Sequence, residues 1–226
     1  MKKVLVMALS LLMTVLFTAC GQTAQPSEST EKPAENSATT ENTATAENPP
    51  AEPGKKILVA FFSRPGDNYE VGVIEKGNTK IVAEMIAEKT GADLFEIQPV
   101  MPYPEDYRAC TEVAKNEQTE NMRPAIVALP ENLQNYDTIF LGYPIWWSAP
   151  PMIIYTFLES QDFNGKTIIP FCTSAGEYMT GVESKIPEIA KGSGIREGIG
   201  IKGKECQEKP EAVREKVIAW LGGLGY

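Results

Sequence analysis

Histidine is absent from all 226 residues. Ser/His/Asp catalysis, Cys/His catalysis and histidine-ligated metal are therefore excluded outright. Cysteine is scarce: Cys110, Cys172 and Cys206 fall in the body of the chain, an odd number without C-x-x-C spacing, so neither a disulfide framework nor a zinc site is at hand. Cys172 stands in an apolar run and reads as a core residue. Positive charge is in deficit, with 21 Lys and Arg against 30 Asp and Glu for a net −9, and losing Lys2 and Lys3 with a cleaved leader would deepen it. Such a balance argues against nucleic acid and against electrostatic binding to anionic lipid. From residue 22 to residue 54 there is no Val, Ile, Leu, Phe, Trp or Tyr. A stretch of that kind cannot offset chain entropy by burying apolar area and is expected to stay disordered. Missing too is the phosphate-loop pattern G-x-x-x-x-G-K-[ST], and the segment that ends in Gly77-Asn78-Thr79 is not the dinucleotide pattern G-x-G-x-x-G.

Residues 1–20, MKKVLVMALSLLMTVLFTAC, begin basic, run apolar from Val4 to Phe17 and close on small residues before Cys20. The apolar run falls short of the roughly 20 residues that a spanning helix needs, and it reads as a secretory signal. Its end, Leu16-Phe17-Thr18-Ala19-Cys20-Gly21, resembles a bacterial lipobox. The resemblance implies a lipidated Cys20 and an exported protein, anchored on the outer side of the cytoplasmic membrane or in the periplasm. Residues 21–54 would be the tether, and 55–226 a single globular domain of ordinary size.

After Lys56, short apolar runs alternate with helical patterns. KILVAFFS (56–63), ADLFEIQPV (92–100), TIFLGYP (138–144) and KTIIPFCTS (166–174) have strand length and β-rich composition, and REGIGIKG (196–203) is a weaker fifth. Between them, residues 77–90, 104–121 and 150–160 carry helical spacing, a helix that Pro187 shortens is expected near VESKIPEIA, and 211–224 forms an amphipathic closing helix. That alternation specifies an α/β protein with a parallel sheet covered on both faces. In doubly wound sheets, ligands bind beyond the carboxyl ends of the strands. Attention therefore falls on the segments after strands one, three and four.

The first ends in Gly77-Asn78-Thr79 at a helix start, where free N–H groups and the positive end of the helix dipole suit a phosphate. Asn and Thr are also ordinary helix caps. The second, GYPIWWSAPP (142–151), sets two of the three tryptophans beside rigid prolines. Such a shelf offers a planar ring a stacking surface; equally, one indole could plug the sheet end and the other serve as a hot spot for a partner. The third, residues 173–181, follows PFCTS.

In this order the segments resemble the flavodoxin family, over Lys56 to Tyr226. LVAFFS…GNT resembles the phosphate loop, GYPIWWSAPP the first isoalloxazine loop and PFCTSAG the second. The resemblance implies a doubly wound five-stranded parallel sheet of order 2-1-3-4-5 with helices on both faces, and FMN as cofactor. By carry-over, Ser63, Arg64, Gly77, Asn78 and Thr79 would hold the phosphate. Pro144, Ile145, Trp146, Trp147 and Ser148 would line one side of the ring, and Thr173, Ser174, Ala175 and Gly176 the other. Arg64 to Lys76 is an insertion relative to the compact loop of flavodoxins and is expected to fold as a flap beside the flavin. With PYPEDY and FLESQDFNGKTIIPFCTS, it resembles a subgroup of flavodoxin-like proteins from gut bacteria.

In such a protein the cofactor carries the chemistry and the chain sets its potential. No catalytic acid or base and no metal ligand is nominated, since Glu105, Asp106 and Glu177 read as solvated surface charges. The first reading is a monomeric electron carrier serving a redox partner protein or a small acceptor, its acidic surface steering encounter. The alternatives are an FMN-dependent NAD(P)H:quinone-type reductase and a flavin-free binding module, because fold similarity does not settle function.

Overall fold

The computed structural model describes residues 56–176 and 179–226, apart from the side chain at 182. The leader, the lipidation site Cys20, the tether, and Glu177 and Tyr178 lie outside the described residues. Four apolar runs form the strands β1 (Ile57–Phe61), β4 (Asp93–Glu96), β5 (Thr138–Pro144) and β6 (Thr167–Ser174). The insertion after β1 folds into a separate antiparallel hairpin, β2 (Gly66–Asn68) and β3 (Gly72–Ile74). The main sheet runs β4-β1-β5-β6, with β7 (Gly194–Ile195) and β8 (Ile199–Lys202) sharing the fifth position, and every pairing is parallel. This is the expected order 2-1-3-4-5.

Alternation along the strands sorts the core into two layers. Leu58, Ala60, Ile139, Leu141, Ile168 and Cys172 face one side, against α3 (Met152–Glu159), whose Ile153 and Phe157 are fully buried. Val59, Phe61, Phe140, Ile169 and Phe171 face the other, against α1 (Asn78–Thr90) and α6 (Pro210–Gly223) through Val82, Ile86, Val213 and Val217. Each such side chain contributes about 1.5–3 kcal/mol on leaving water. Gly142 has no room for a side chain, because a Cβ there would overlap the Phe171 ring.

The fifth strand departs from expectation, and Pro170 gives the reason. β6 pairs Ile168 with Ile195 and then Phe171 with Ile199, so Ile169 and Pro170 face three residues, 196–198, without pairing. A proline has no N–H for a ladder. Its carbonyl lies against Gly198, where a Cβ would overlap it, so the strand bulges outward there and resumes as β8. Immediately after, α5 (Gly203–Glu208) is a short helix that the sequence reading does not contain. The helix near Pro187 is, as expected, short: a 3₁₀ turn at Val182–Lys185 leads into α4 (Ile186–Ile189). α2 (Tyr107–Thr119) starts three residues later than the expected 104, where the Asp106 carboxylate accepts from the Ala109 N–H at 2.8 Å. Among the described residues, no helix is long and apolar enough to cross a membrane and no cluster of acidic, Cys or His side chains could hold a metal.

Candidate functional site

At the carboxyl ends of β1, β5 and β6 lies a cavity of about 280 Å³. Its lining brings together Ser63, Arg64, Asn78 and Thr79 from the first segment, Pro144 to Ser148 from the second, and Thr173, Ser174 and Ala175 from the third. Of the residues expected there, Gly77 and Gly176 stand outside the lining. Gly77 shapes it from behind: a Cβ at this position would overlap Ser63 Oγ and come within 2.7 Å of the Arg64 carbonyl, so only glycine lets the β1 loop close over the start of α1. Gly176 is held in a turn by Ser174, whose Oγ donates to its carbonyl at 2.7 Å.

The α1 end is built from hydroxyls and backbone. Ser63 Oγ accepts from the Lys80 N–H at 3.0 Å, while the geometry of a helix start leaves the N–H groups of Asn78 and Thr79 without intrahelical acceptors. Thr79 and Thr173 share a buried hydroxyl hydrogen bond of 2.8 Å, tying the first segment to the third. Asn78 Oδ1 accepts from Gln207 on α5 at 2.8 Å, and a Cβ at Gly203 would meet Asn78 Nδ2 at 2.7 Å. The overlooked helix α5 therefore braces the helix start.

At the other end, Trp146 and Trp147 part company. Trp146 is half-buried and meets Phe62 and Tyr103 edge to face, with ring centroids 5.4 and 4.9 Å apart. Trp147 is 52 % exposed; its Nε1 donates to the Thr111 carbonyl at 2.9 Å, and the Lys115 ammonium lies 5.0 Å from the ring centroid. Trp146 and Ala149 exchange backbone hydrogen bonds of 2.9 and 3.1 Å around a two-residue turn with φ of +50° at Trp147 and +61° at Ser148. Two positive φ values mark the mirror-image turn usually given to Asn-Gly, and here two ordinary L-residues hold it.

The insertion supplies a wall that the sequence motifs did not identify residue by residue. The Arg64 guanidinium, only 9 % exposed, donates to the carbonyls of Pro104 at 2.9 Å, Glu105 at 3.0 Å and Asp67, pinning the hairpin to the residues before α2. Its Nε is buried without a hydrogen-bond partner among the described residues. Among the described residues, Arg64 is the one lining side chain that carries charge. Tyr69 from the hairpin tip packs on Tyr107, ring centroids 5.9 Å apart, and both line the cavity. Cys110, Thr111 and Ala114 continue the wall down one stripe of α2, which read from sequence as merely a polar helix. Burial raises the pKa of the Cys110 thiol and pushes that of Cys172 up to about 12, so neither is a thiolate nucleophile at neutral pH.

A family model described as flavodoxin matches residues 56–217. A protein classed among the flavoproteins from Bacteroides uniformis is 32 % identical, over 75 % of this chain and 99 % of its own, with a TM-score of 0.58. One of the same class from Bacteroides eggerthii is 31 % identical, over 76 % of this chain and 98 % of its own, with a TM-score of 0.57. A flavoprotein from Lactobacillus acidophilus, solved in complex with FMN, is 23 % identical over 70 % of this chain and 99 % of its own, with a TM-score of 0.51, and shows the shared fold. No curated protein matches the chain. With a family match over most of its length, and at the strand ends where its three segments converge, the chain belongs to the flavodoxin family and has the flavodoxin-like flavoprotein fold.

Proposed function

We propose that this protein is an FMN-binding electron carrier, tethered outside the cytoplasm through a lipid on Cys20 and acting as a monomer with a redox partner protein or a small acceptor. The observation that carries the reading is the cavity itself, in which an anion-binding helix start and an indole shelf converge from segments far apart in sequence. FMN suits what lines it. The helix start offers donors, no described residue of the lining is a carboxylate, and the Arg64 guanidinium, whose Nε has no hydrogen-bond partner among the described residues, adds a buried cation. The volume of about 280 Å³ sits near the lower end of the roughly 300–1,000 Å³ usual for small-molecule sites.

In this reading the phosphate lies at Gly77-Asn78-Thr79, and the flavin ring stacks by Trp146 and Trp147 with the Ser174 to Gly176 turn opposite. FMN supplies reversible one- and two-electron transfer, and the chain supplies binding, orientation and field. Stacked indoles and an acidic surface disfavour added negative charge on the ring and so lower its potential. The hairpin, pinned by Arg64, shields one edge of the site.

A carrier is favoured over an NAD(P)H-dependent reductase because the basic groups near the site are engaged, Lys115 over the Trp147 ring among them. Arg64 is spent on carbonyls, and Lys76 pairs with Glu84 at 2.8 Å. Neither is both exposed and unpaired, as a cation that receives a pyridine nucleotide phosphate would be.

The test is to load the full chain with FMN, remove free flavin, and record the visible spectrum and flavin fluorescence. A bound yellow flavin with quenched emission that returns in Trp146→Ala or Trp147→Ala is the expected result. A colourless protein that leaves FMN fluorescence unchanged would overturn the reading in favour of a flavin-free binding module, and NAD(P)H oxidation at steady state by the loaded protein would favour the reductase.

A further inference from the structure

We propose that Glu117 is a positioning residue for Trp146, acting through Tyr103, and that it places a negative charge behind the indole wall so that the cavity favours oxidised over reduced flavin. The second half rests on the reading that the cavity holds FMN; the first does not.

The Tyr103 hydroxyl donates to Glu117 Oε2 at 2.8 Å, and the two residues are 9 % and 8 % exposed. Among the described residues, no Lys or Arg forms an ion pair with Glu117. A buried carboxylate with a neutral partner is expensive, and an apolar side chain of similar volume would serve the fold better. Stability therefore does not account for Glu117.

Its surroundings do. The Tyr103 ring lies 4.9 Å from the Trp146 ring at 84° and 5.5 Å from Phe62 at 60°, and Phe62 lies 5.4 Å from Trp146 at 89°. These three rings close a triangle of edge-to-face contacts, in which fixing the tilt of one fixes the plane of the next. The hydroxyl bond to Glu117 sets the tilt of Tyr103, and so the plane that Trp146 presents to the cavity. Glu117 also follows Tyr107, Cys110 and Ala114 at helical spacing on the stripe of α2 that lines the cavity. Its carboxylate thus lies next along the stripe from the lining residues, on the Tyr103 side of Trp146. A fixed negative charge there opposes added electron density on a ring stacked against that indole.

The experiment compares the full wild-type chain with Glu117→Gln, which keeps an acceptor for Tyr103 and removes the charge, and Tyr103→Phe, which removes the bond. Glu117→Leu, which removes both, guards against a variant that fails to fold. Near-UV circular dichroism of the flavin-free chain, with Trp146→Ala as the reference that isolates this indole among the three, reads Trp146. Tyr103→Phe and Glu117→Leu should lose indole signal, and Glu117→Gln should retain it. Redox titration with FMN then gives the ratio of affinities for the reduced and oxidised forms. Glu117→Gln should raise that ratio about tenfold at neutral pH, a rise of about 30 mV in a two-electron potential, with the affinity for oxidised FMN within about twofold. Unchanged indole signal in both Tyr103→Phe and Glu117→Leu overturns the positioning role, and an unchanged ratio in Glu117→Gln overturns the charge role. A wild-type chain that does not bind FMN overturns the charge role together with the flavin reading, while the near-UV comparison still decides the positioning.

Discussion

At the α1 end of the cavity the wall is backbone and small hydroxyls. Gly77 is there because nothing larger fits, Ser63 and Thr79 are there to bond, and the distances are set by chain passing close to chain. At the Trp147 turn the wall is side chain. A turn with two left-handed residues, Trp147 and Ser148, follows Trp146, and the indoles are held through the Thr111 carbonyl and Lys115 of a separate helix and through the Tyr103–Glu117 pair. Both regions draw on partners far along the chain, but the first is fixed by close approach of backbone, which cannot give, and the second by side chains, which can shift. Damage to the first should therefore be abrupt, and damage to the second graded.

Gly77→Ala is the severest test. Its Cβ would overlap Ser63 Oγ and approach the Arg64 carbonyl, both on the chain that closes over α1, so the loop must move. About 1–3 kcal/mol of stability should go, read by urea titration, with FMN affinity down a hundredfold or more by fluorescence titration. A modest loss of affinity would erase the contrast between the two ends.

Glu117→Gln should give a smaller, pH-dependent change. Burial raises the pKa of Glu117 above the ordinary value of about 4.3. Its favourable contribution to folding is therefore complete below that ordinary value and is lost as pH rises through the raised one. Stability of the wild type relative to Glu117→Gln should accordingly fall as pH rises from about 4 through the raised pKa, each unit of pKa shift amounting to about 1.4 kcal/mol. Parallel curves over that range would remove the charge from the account of the aromatic end.

Ser148→Gly should have the mildest effect. With φ at +61°, serine holds a conformation that glycine adopts freely. Thermal unfolding should show stability unchanged or raised by up to about 1 kcal/mol, with FMN affinity within about threefold. A large loss would mean that the Ser148 side chain itself contacts the ligand.

The same division explains what could be read in advance. Strands β1, β5 and β6 were legible because fully buried parallel strands are unbroken apolar runs, and their order and the three converging loops followed from the family resemblance. The hairpin escaped because Gly66–Asn68 and Gly72–Ile74 are three-residue strands too short for a periodic signal. The fifth strand was read as one because Pro170, which splits it, lies in a different segment. Tyr103, Glu117 and Trp146 stand 14 and 29 residues apart along the chain, and no local pattern joins them. The stripe of Tyr107, Cys110, Thr111 and Ala114 could have been found by its spacing, but its mixture of polar and apolar side chains concealed that it faces a site and not solvent.

The break that Pro170 imposes on the fifth strand also bears on how these molecules behave when crowded. The sheet ends there on a two-residue and a four-residue strand with a bulge between them, and at its other end on a strand of four residues. Neither border offers a long, flat row of unpaired amides onto which a second copy could zip. For a protein gathered at high density on a surface, as the proposed anchor would arrange, that interruption works as protection against sheet-to-sheet aggregation, built in by one residue on the neighbouring strand.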